Sequence, residues 1–301
     1  MKFKSKLFCH LFVLPRWFAI PFFSASLLTG VILAGGSLAS FTTWLAFLIG
    51  ILLMAAGHSA NSYLDYAWTG LDKGTEEERS AEKKYTGGQN LLAKGLVSLR
   101  EVWINSLSWY IIAVGLSIYL ATKTSWTVVP LVVIGGLVVP IWYSFGKFNF
   151  THELSLGIGV GPLSVLLGMF GVNPHPNWLI GILISAPFAI ILSFAGLALD
   201  EYPDFEANLK KGVKSLAYRV HKTNVGLFSY MMVWILFMYM YQFLTIYMGW
   251  LKPMTALSFI TFPFILGSIM LCHENFEKYA PMVVIWAALY PILIFVGQVM
   301  G

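Results

Sequence analysis

Apolar residues along this chain fall in blocks long enough to cross a bilayer, and polar segments alternate between short and long connections. The blocks run roughly over 17–39, 41–64, 102–122, 125–145, 154–171, 178–199, 224–247, 253–272 and 280–300. A helical span needs about 20 predominantly apolar residues, and a soluble core has no use for so many blocks. The pattern predicts an all-α fold, a polytopic membrane helical bundle of about nine transmembrane helices. The fifth block is the shortest, and Gly157, Gly159, Gly161 and Pro162 interrupt it.

Composition agrees with the pattern. Of 301 residues, 58% are hydrophobic and 11% charged, whereas a soluble domain carries about 25% charged residues. The start, Met1 to Lys6, is basic, and a short apolar run from Leu7 to Pro15 ends at Arg16. With a full-length block following at once and no small-residue cleavage site, this reads as an uncleaved interfacial lead-in. Cys9 and Cys272 sit in no metal or redox spacing. Neither linker nor low-complexity stretch divides the chain, so residues 1–301 are expected to form one membrane-embedded domain.

With nine spans, 17 of the 19 Lys and Arg fall on one side, leaving only Lys123 and Lys252 on the other. The positive-inside rule places the charge-rich side in the cytoplasm, which predicts a multi-pass protein of the cytoplasmic membrane with its polar chemistry facing inward. Basic loops beside a bilayer account for the net charge of +5 without nucleic acid, and they favour anionic lipids or an anionic substrate.

Two carboxylate clusters stand at helix ends on that side. The second block ends in Asn61-Ser-Tyr-Leu-Asp65, with Asp72 just beyond Gly70. Asn61 and Asp65 are four apart and share a helix face. The sixth block ends in Asp200-Glu-Tyr-Pro-Asp204, with Asn208 four further on. These three line one face if the helix continues through Pro203. Either cluster alone is as easily a solvated helix end. Two on one side point to function, because carboxylates at a membrane helix end are costly unless hydrated, paired or bound to cations. Such oxygen donors suit magnesium, which takes one or two protein carboxylates together with substrate phosphate oxygens.

Cations gather nearby. The first loop carries Lys73, Arg79, Lys83, Lys84 and Lys94; the second carries Lys210, Lys211, Lys214, Arg219 and Lys222. Between them lies Tyr143-Ser-Phe-Gly-Lys147 at the inner end of the fourth block. Most of these are topology charges. Lys147 and Lys214 sit in defined motifs and are the candidates for phosphate contact. His58 either faces the same region or bonds a neighbouring helix. Glu153 either orients a lysine or the acceptor, or simply favours its own helix dipole.

At these residues the chain resembles the UbiA-type membrane prenyltransferase family. The likeness runs from Arg16 to about Arg219. It rests on Asn61, Asp65 and Asp72; on Tyr143-Ser-x-x-Lys147; on Gly161-Pro-Leu; and on Asp200-x-x-x-Asp204 followed by Gly212-Val-Lys214-Ser-Leu. The first motif and the stretch Thr86-Gly-Gly-Gln-Asn90, leading to Lys94-Gly-Leu-Val-Ser-Leu-Arg-Glu-Val102, look most like the branch that prenylates 1,4-dihydroxy-2-naphthoate. Ser62 and Asn208 depart from the family, which often has Asp at both positions.

The resemblance implies Mg2+-dependent transfer from a polyprenyl diphosphate to a small aromatic acceptor, as in menaquinone biosynthesis. Asn61, Asp65, Asp72, Asp200 and Asp204 would hold metal, and Asp65, Asp204 and Lys214 would act catalytically. Arg16, Asn61, Tyr143, Lys147 and Arg219 would bind substrate, and Trp68, Tyr143 and Tyr202 are candidates for aromatic walls near an allylic cation. Other acceptors in the same class are 4-hydroxybenzoate, homogentisate, a tetrapyrrole or a lipid phosphate. A transporter shares the many spans and glycine-broken helices, but it is expected to place ionisable or unwound positions near mid-membrane, where these blocks carry no Asp, Glu, Lys or Arg. An inactive scaffold is the third reading, suggested by Ser62 and Asn208.

Overall fold

The computed structural model describes residues 3–73, 91–92, 95–202, 205–223 and 226–301. Among these, eight helices are long and apolar enough to cross a membrane: Phe41–Ala67, Leu99–Ala121, Val128–Gly146, His152–Phe170, Trp178–Glu201, Leu227–Tyr247, Pro253–Glu274 and Lys278–Met300. The shorter apolar helix Ile20–Leu33 precedes them. In chain order these are the first to ninth spans below, the first being Ile20–Leu33. It is shorter than the block 17–39 suggests, because the chain leaves the helix at Ala34 and turns at Gly35, whose φ is +78°.

Polar caps set where several spans begin. Ser40 accepts from Thr42 N–H at the start of the second, and Asn275 accepts from Lys278 N–H at the start of the ninth. The third starts at Leu99 with a capping box. Ser98 accepts from Glu101 N–H at 3.2 Å, and the Glu101 carboxylate accepts from Ser98 N–H at 2.7 Å. Each satisfies an amide that the first helical turn leaves without a partner.

Neighbours in sequence pack against one another around the bundle, and the first span closes it against the fifth and the ninth. In lipid, helix contact gains little from hydrophobicity and depends on close fit and small residues. Gly30 and Gly168 supply that fit between the first and fifth spans. A Cβ on Gly30 would lie 2.1 Å from the Val165 carbonyl oxygen, and one on Gly168 would lie 2.0 Å from that of Leu27.

The fourth, fifth and sixth spans each widen into a π-turn, at Ile134–Val138, Gly159–Leu163 and Ile191–Gly196. The fifth span is therefore continuous through its Gly and Pro residues, which are accommodated by this wider turn. Ser26 of the first span donates to the Val160 carbonyl at 2.9 Å, giving the loosened turn an outside partner. Buried polar contacts also join the seventh span to the start of the eighth: Gln242 donates to Ser258 Oγ and to the Thr255 carbonyl, and Tyr239 hydrogen-bonds Thr261.

Gly30→Ala or Gly168→Ala is expected to cost about 1–3 kcal/mol by overpacking. Thermal unfolding in detergent checks this, with a lowered melting temperature in both variants and little change for Gly267→Ala, whose Cβ would meet open space.

Candidate active site

The second span delivers Asn61 and Asp65 to one face, as their spacing predicts. Asn61 Nδ2 donates to Asp65 Oδ2 at 2.8 Å and to Ser144 Oγ of the fourth span at 3.1 Å. Lys147, at the end of that fourth span, reaches the same Asp65 oxygen with its Nζ at 2.5 Å. Asp65 is fully buried and the Lys147 side chain is only 11% exposed. This is an ion pair in a poorly screened environment, with Asn61 as an added donor to the charged oxygen. The other oxygen, Asp65 Oδ1, is buried and has no hydrogen-bond partner among the described residues.

Beyond Ala67 the chain turns through Gly70, whose φ of +70° only glycine adopts without strain. The turn returns Asp72 beside the helix end, where it is buried and its N–H donates to the Asp65 carbonyl at 3.2 Å. Lys211, from the second basic loop, caps this turn by donating to the Leu71 and Lys73 carbonyls, both at 2.7 Å.

Tyr143 lies one helical turn before Lys147, and Lys147 Nζ sits 4.8 Å from the centre of its ring. The opposite neighbour is the His152 imidazole, edge-on at 5.8 Å between ring centres. Asp65, Asp200, Glu201 and Arg16 all act on Tyr143 electrostatically, so this ring marks where the two carboxylate motifs and Arg16 approach each other. Arg16 itself has a left-handed backbone, φ 54°. Its buried Nε and Nη2 have no hydrogen-bond partner among the described residues, and its charge also reaches His58. Unsatisfied guanidinium N–H groups inside a protein are costly and point to an anionic ligand.

The sixth span is described to Glu201, and the next described helix is Phe205–Lys210. Pro203 and Asp204 lie outside the described residues, as do Arg79, Lys83, Lys84, the stretch 86–90 and Lys94. Asp200 is exposed while its neighbour Glu201 is buried. Asn208 donates to the Tyr218 hydroxyl at 2.6 Å, so its amide serves the contact between the two short helices of the second loop. Lys214 is exposed, and its N–H donates to the Lys147 carbonyl at 2.5 Å. The Arg219 guanidinium lies over the Phe150 ring at 4.4 Å.

Of the aromatic candidates, only Tyr143 stands among the charged groups. Trp68 is exposed and leans on the exposed Phe145. Tyr202 is taken up in packing with Phe205, His221, Phe228 and Phe276.

Three further residues were not legible as site residues. Ser144 holds Asn61. His152 and Glu201 are buried partners, His152 Nε2 lying 3.2 Å from Glu201 Oε1, and His152 Nδ1 lies 3.1 Å from Glu153 Oε2. Ionisable groups at a membrane helix end were the available signal, but which of the adjacent carboxylates Asp200 and Glu201 turns inward depends on where the helix stops.

Among the described residues, no three His, Cys, Asp or Glu side chains converge on a metal position. The donor chemistry nevertheless fits a hard divalent cation. Asp65 and Asp72 are buried carboxylate residues joined by a backbone hydrogen bond, and Asp65 Oδ1 is unsatisfied among the described residues.

None of the curated proteins matches the chain in sequence. Among solved structures, digeranylgeranylglyceryl phosphate synthase superposes with a TM-score of 0.63 at 13% identity, covering 98% of this chain and 99% of that one. A UbiA homolog from Archaeoglobus fulgidus bound to DMAPP and Mg2+ gives 0.52 at 14% identity, covering 96% and 98%. The same homolog bound to Cd2+ gives 0.53 at 16%, covering 95% and 98%. At such identities the likeness is one of fold. Sequence decides the family: residues 23–278 match the UbiA prenyltransferase family, and with that match spanning most of this multi-pass membrane chain, the protein belongs to the UbiA family of prenyltransferases.

Proposed function

We propose that the protein transfers a polyprenyl group from an isoprenyl diphosphate to a small aromatic acceptor, 1,4-dihydroxy-2-naphthoate, as a step of menaquinone biosynthesis. The observation that carries the reading is the buried Asn61–Asp65–Lys147 network, with a carboxylate oxygen unsatisfied among the described residues, beside Tyr143 and an Arg16 guanidinium whose buried Nε and Nη2 are likewise unsatisfied. The Archaeoglobus fulgidus homolog has been solved with DMAPP and with GPP, each together with Mg2+, which supports a diphosphate donor and a divalent cation here. Residues 1–301 act as one membrane-embedded domain, and the positive-inside bias puts the site at the cytoplasmic face of the cytoplasmic membrane.

Asp65 and Asp72, with Asn61 beside them and Asp200 and Asp204 from the second motif, would hold Mg2+. The ion supplies charge neutralisation for the diphosphate. Arg16, Lys147, Lys214 and Arg219 bind the phosphate oxygens and stabilise the charge that develops as the allylic C–O bond breaks. The face of Tyr143 borders the carbon that becomes cationic, and aromatic faces stabilise cations. The acceptor ring then forms the new C–C bond and yields its proton to a carboxylate or water. Lys147 has a second task. While no donor is bound, its ammonium is the counter-charge in direct contact with Asp65 inside the bundle.

The first assay uses purified protein in nanodiscs with radiolabelled polyprenyl diphosphates and a panel of aromatic acceptors, with magnesium or chelator. A prenylated naphthoate formed only with magnesium is the expected result. Product with a different acceptor corrects the substrate, and no product from folded protein favours transport or scaffolding.

Asp65→Asn and Asp204→Ala are expected to abolish turnover while leaving protein inserted and folded. Full activity in either would remove that residue from the site. Lys214→Ala should raise the donor KM, most visibly at low donor concentration.

Lys147→Met leaves the buried Asp65 carboxylate uncompensated and should cost about 3–5 kcal/mol of stability. Adding Asp65→Asn to it should restore the melting temperature without restoring activity. Unchanged melting in Lys147→Met would show that the pair carries no stability.

A further inference from the structure

The proposed chemistry leaves Glu153 unused, yet its carboxylate is buried to 3% exposure at a membrane helix end. Such burial is costly unless the group has partners. Its surroundings show what it does. The hairpin joining the fourth and fifth spans, residues 146–153, is built tightly. Thr151 N–H donates to the Gly146 carbonyl at 3.2 Å, Trp142 Nε1 donates to Thr151 Oγ1 at 2.9 Å, and Thr151 Oγ1 donates to Asn149 Oδ1 at 2.6 Å. Phe150 is held at φ 63°, a conformation non-glycine residues seldom adopt. A Cβ on Gly146 would lie 2.8 Å from the His152 nitrogen, so the two ends of the hairpin touch.

This rigid hairpin grips the second loop at successive points. The Lys147 carbonyl takes the N–H of Lys214 at 2.5 Å. Glu153 Oε1 takes the N–H of Leu216 at 2.8 Å. The Phe150 ring carries the Arg219 guanidinium at 4.4 Å, and His152 contacts Glu201 at 3.2 Å. Leu216 is the first residue of the short helix Leu216–His221, capped by Ser215. Its N–H is one of the amides a helix start leaves open, and Glu153 is the group that fills it. Lys214 and Arg219 flank this attachment.

We propose that Glu153 is a positioning residue for donor binding: through its hydrogen bond to the Leu216 amide it fixes the segment 214–219 over the hairpin, and so sets where Lys214 and Arg219 meet the diphosphate. Lys147, on the same hairpin, holds Asp65 of the first motif. The hairpin thereby couples the position of the second basic loop to that of the first carboxylate motif. This inference rests on the proposed role of Lys214 and Arg219 in holding the donor.

The bond can be cut from either end. Glu153→Leu removes the acceptor. Leu216→Pro removes the donor without disturbing the helix, because proline suits the first helical position and Ser215 before it is already extended, at φ −139° and ψ 161°. Glu153→Gln keeps an oxygen acceptor. Steady-state kinetics with donor and acceptor varied separately is the measurement, paired with equilibrium binding of a non-reactive isoprenyl thiolodiphosphate. Glu153→Leu and Leu216→Pro should each raise donor KM and analogue Kd by roughly tenfold, the scale of a lost hydrogen bond to a charged group. The acceptor KM should be unchanged, the double variant should be no worse than either single, and Glu153→Gln should stay near the parent. Unaltered donor KM and Kd in folded Leu216→Pro overturns the inference, as does a donor KM for Glu153→Gln as high as for Glu153→Leu. Lys214→Ala separates the two levels: if it raises donor KM while Leu216→Pro does not, the inference alone fails; if it leaves donor KM unchanged, the role of Lys214 fails.

Discussion

A carboxylate fully inside a membrane protein has to be compensated, and the way Asp65 is compensated organises the polar end of this bundle. Its Oδ2 takes Lys147 Nζ and Asn61 Nδ2, and Asn61 in turn holds Ser144. The second and fourth spans are tied at this point by groups that lipid cannot solvate. The remaining oxygen has no partner among the described residues. A network satisfied on one side and open on the other stores unfavourable desolvation, which a cationic ligand would relieve. The Arg16 guanidinium, whose buried Nε and Nη2 have no hydrogen-bond partner among the described residues, is the complementary case and would be relieved by an anion. A metal diphosphate brings both.

Around that end the rest of the bundle serves as a frame. Gly30 and Gly168 let the first and fifth spans meet backbone to backbone. The π-turns of the fourth, fifth and sixth spans shift the register of the span ends that carry the site. Insertions of this kind recur near functional sites because they re-aim side chains while keeping the helix intact. Here they lie in the three spans that end or begin at Tyr143 and Lys147, His152 and Glu153, and Asp200 and Glu201. Membership of a prenyltransferase family and a polar site confined to one end of the spans fit together, since the donor's diphosphate is water-borne and its tail is lipid.

The sequence was informative wherever a local rule acts alone. Spans follow from apolar length, so all nine blocks correspond to helices, with ends moved by caps such as Ser98 and Asn275. Asn61 and Asp65 meet because a helix places residues four apart on one face. Lys147 reaches them because its motif lies at the inner end of an adjacent span. The second motif was less legible. The stripe of Asp200, Asp204 and Asn208 assumes one helix through Pro203; Pro203 and Asp204 lie outside the described residues, and Asn208 donates to Tyr218.

By itself, then, the sequence determined the membrane-spanning helices, their orientation bias and the first carboxylate motif, because hydrophobic length, charge asymmetry and helical periodicity are short-range properties of the chain. Only the tertiary structure decided that Glu201 rather than Asp200 is buried, that His152 lies between two carboxylates, and that Glu153 reaches the helix start of another segment. Those outcomes depend on where separate spans end relative to one another. In a medium without water, an amide or carboxylate must find its partner on whatever segment packing brings within reach.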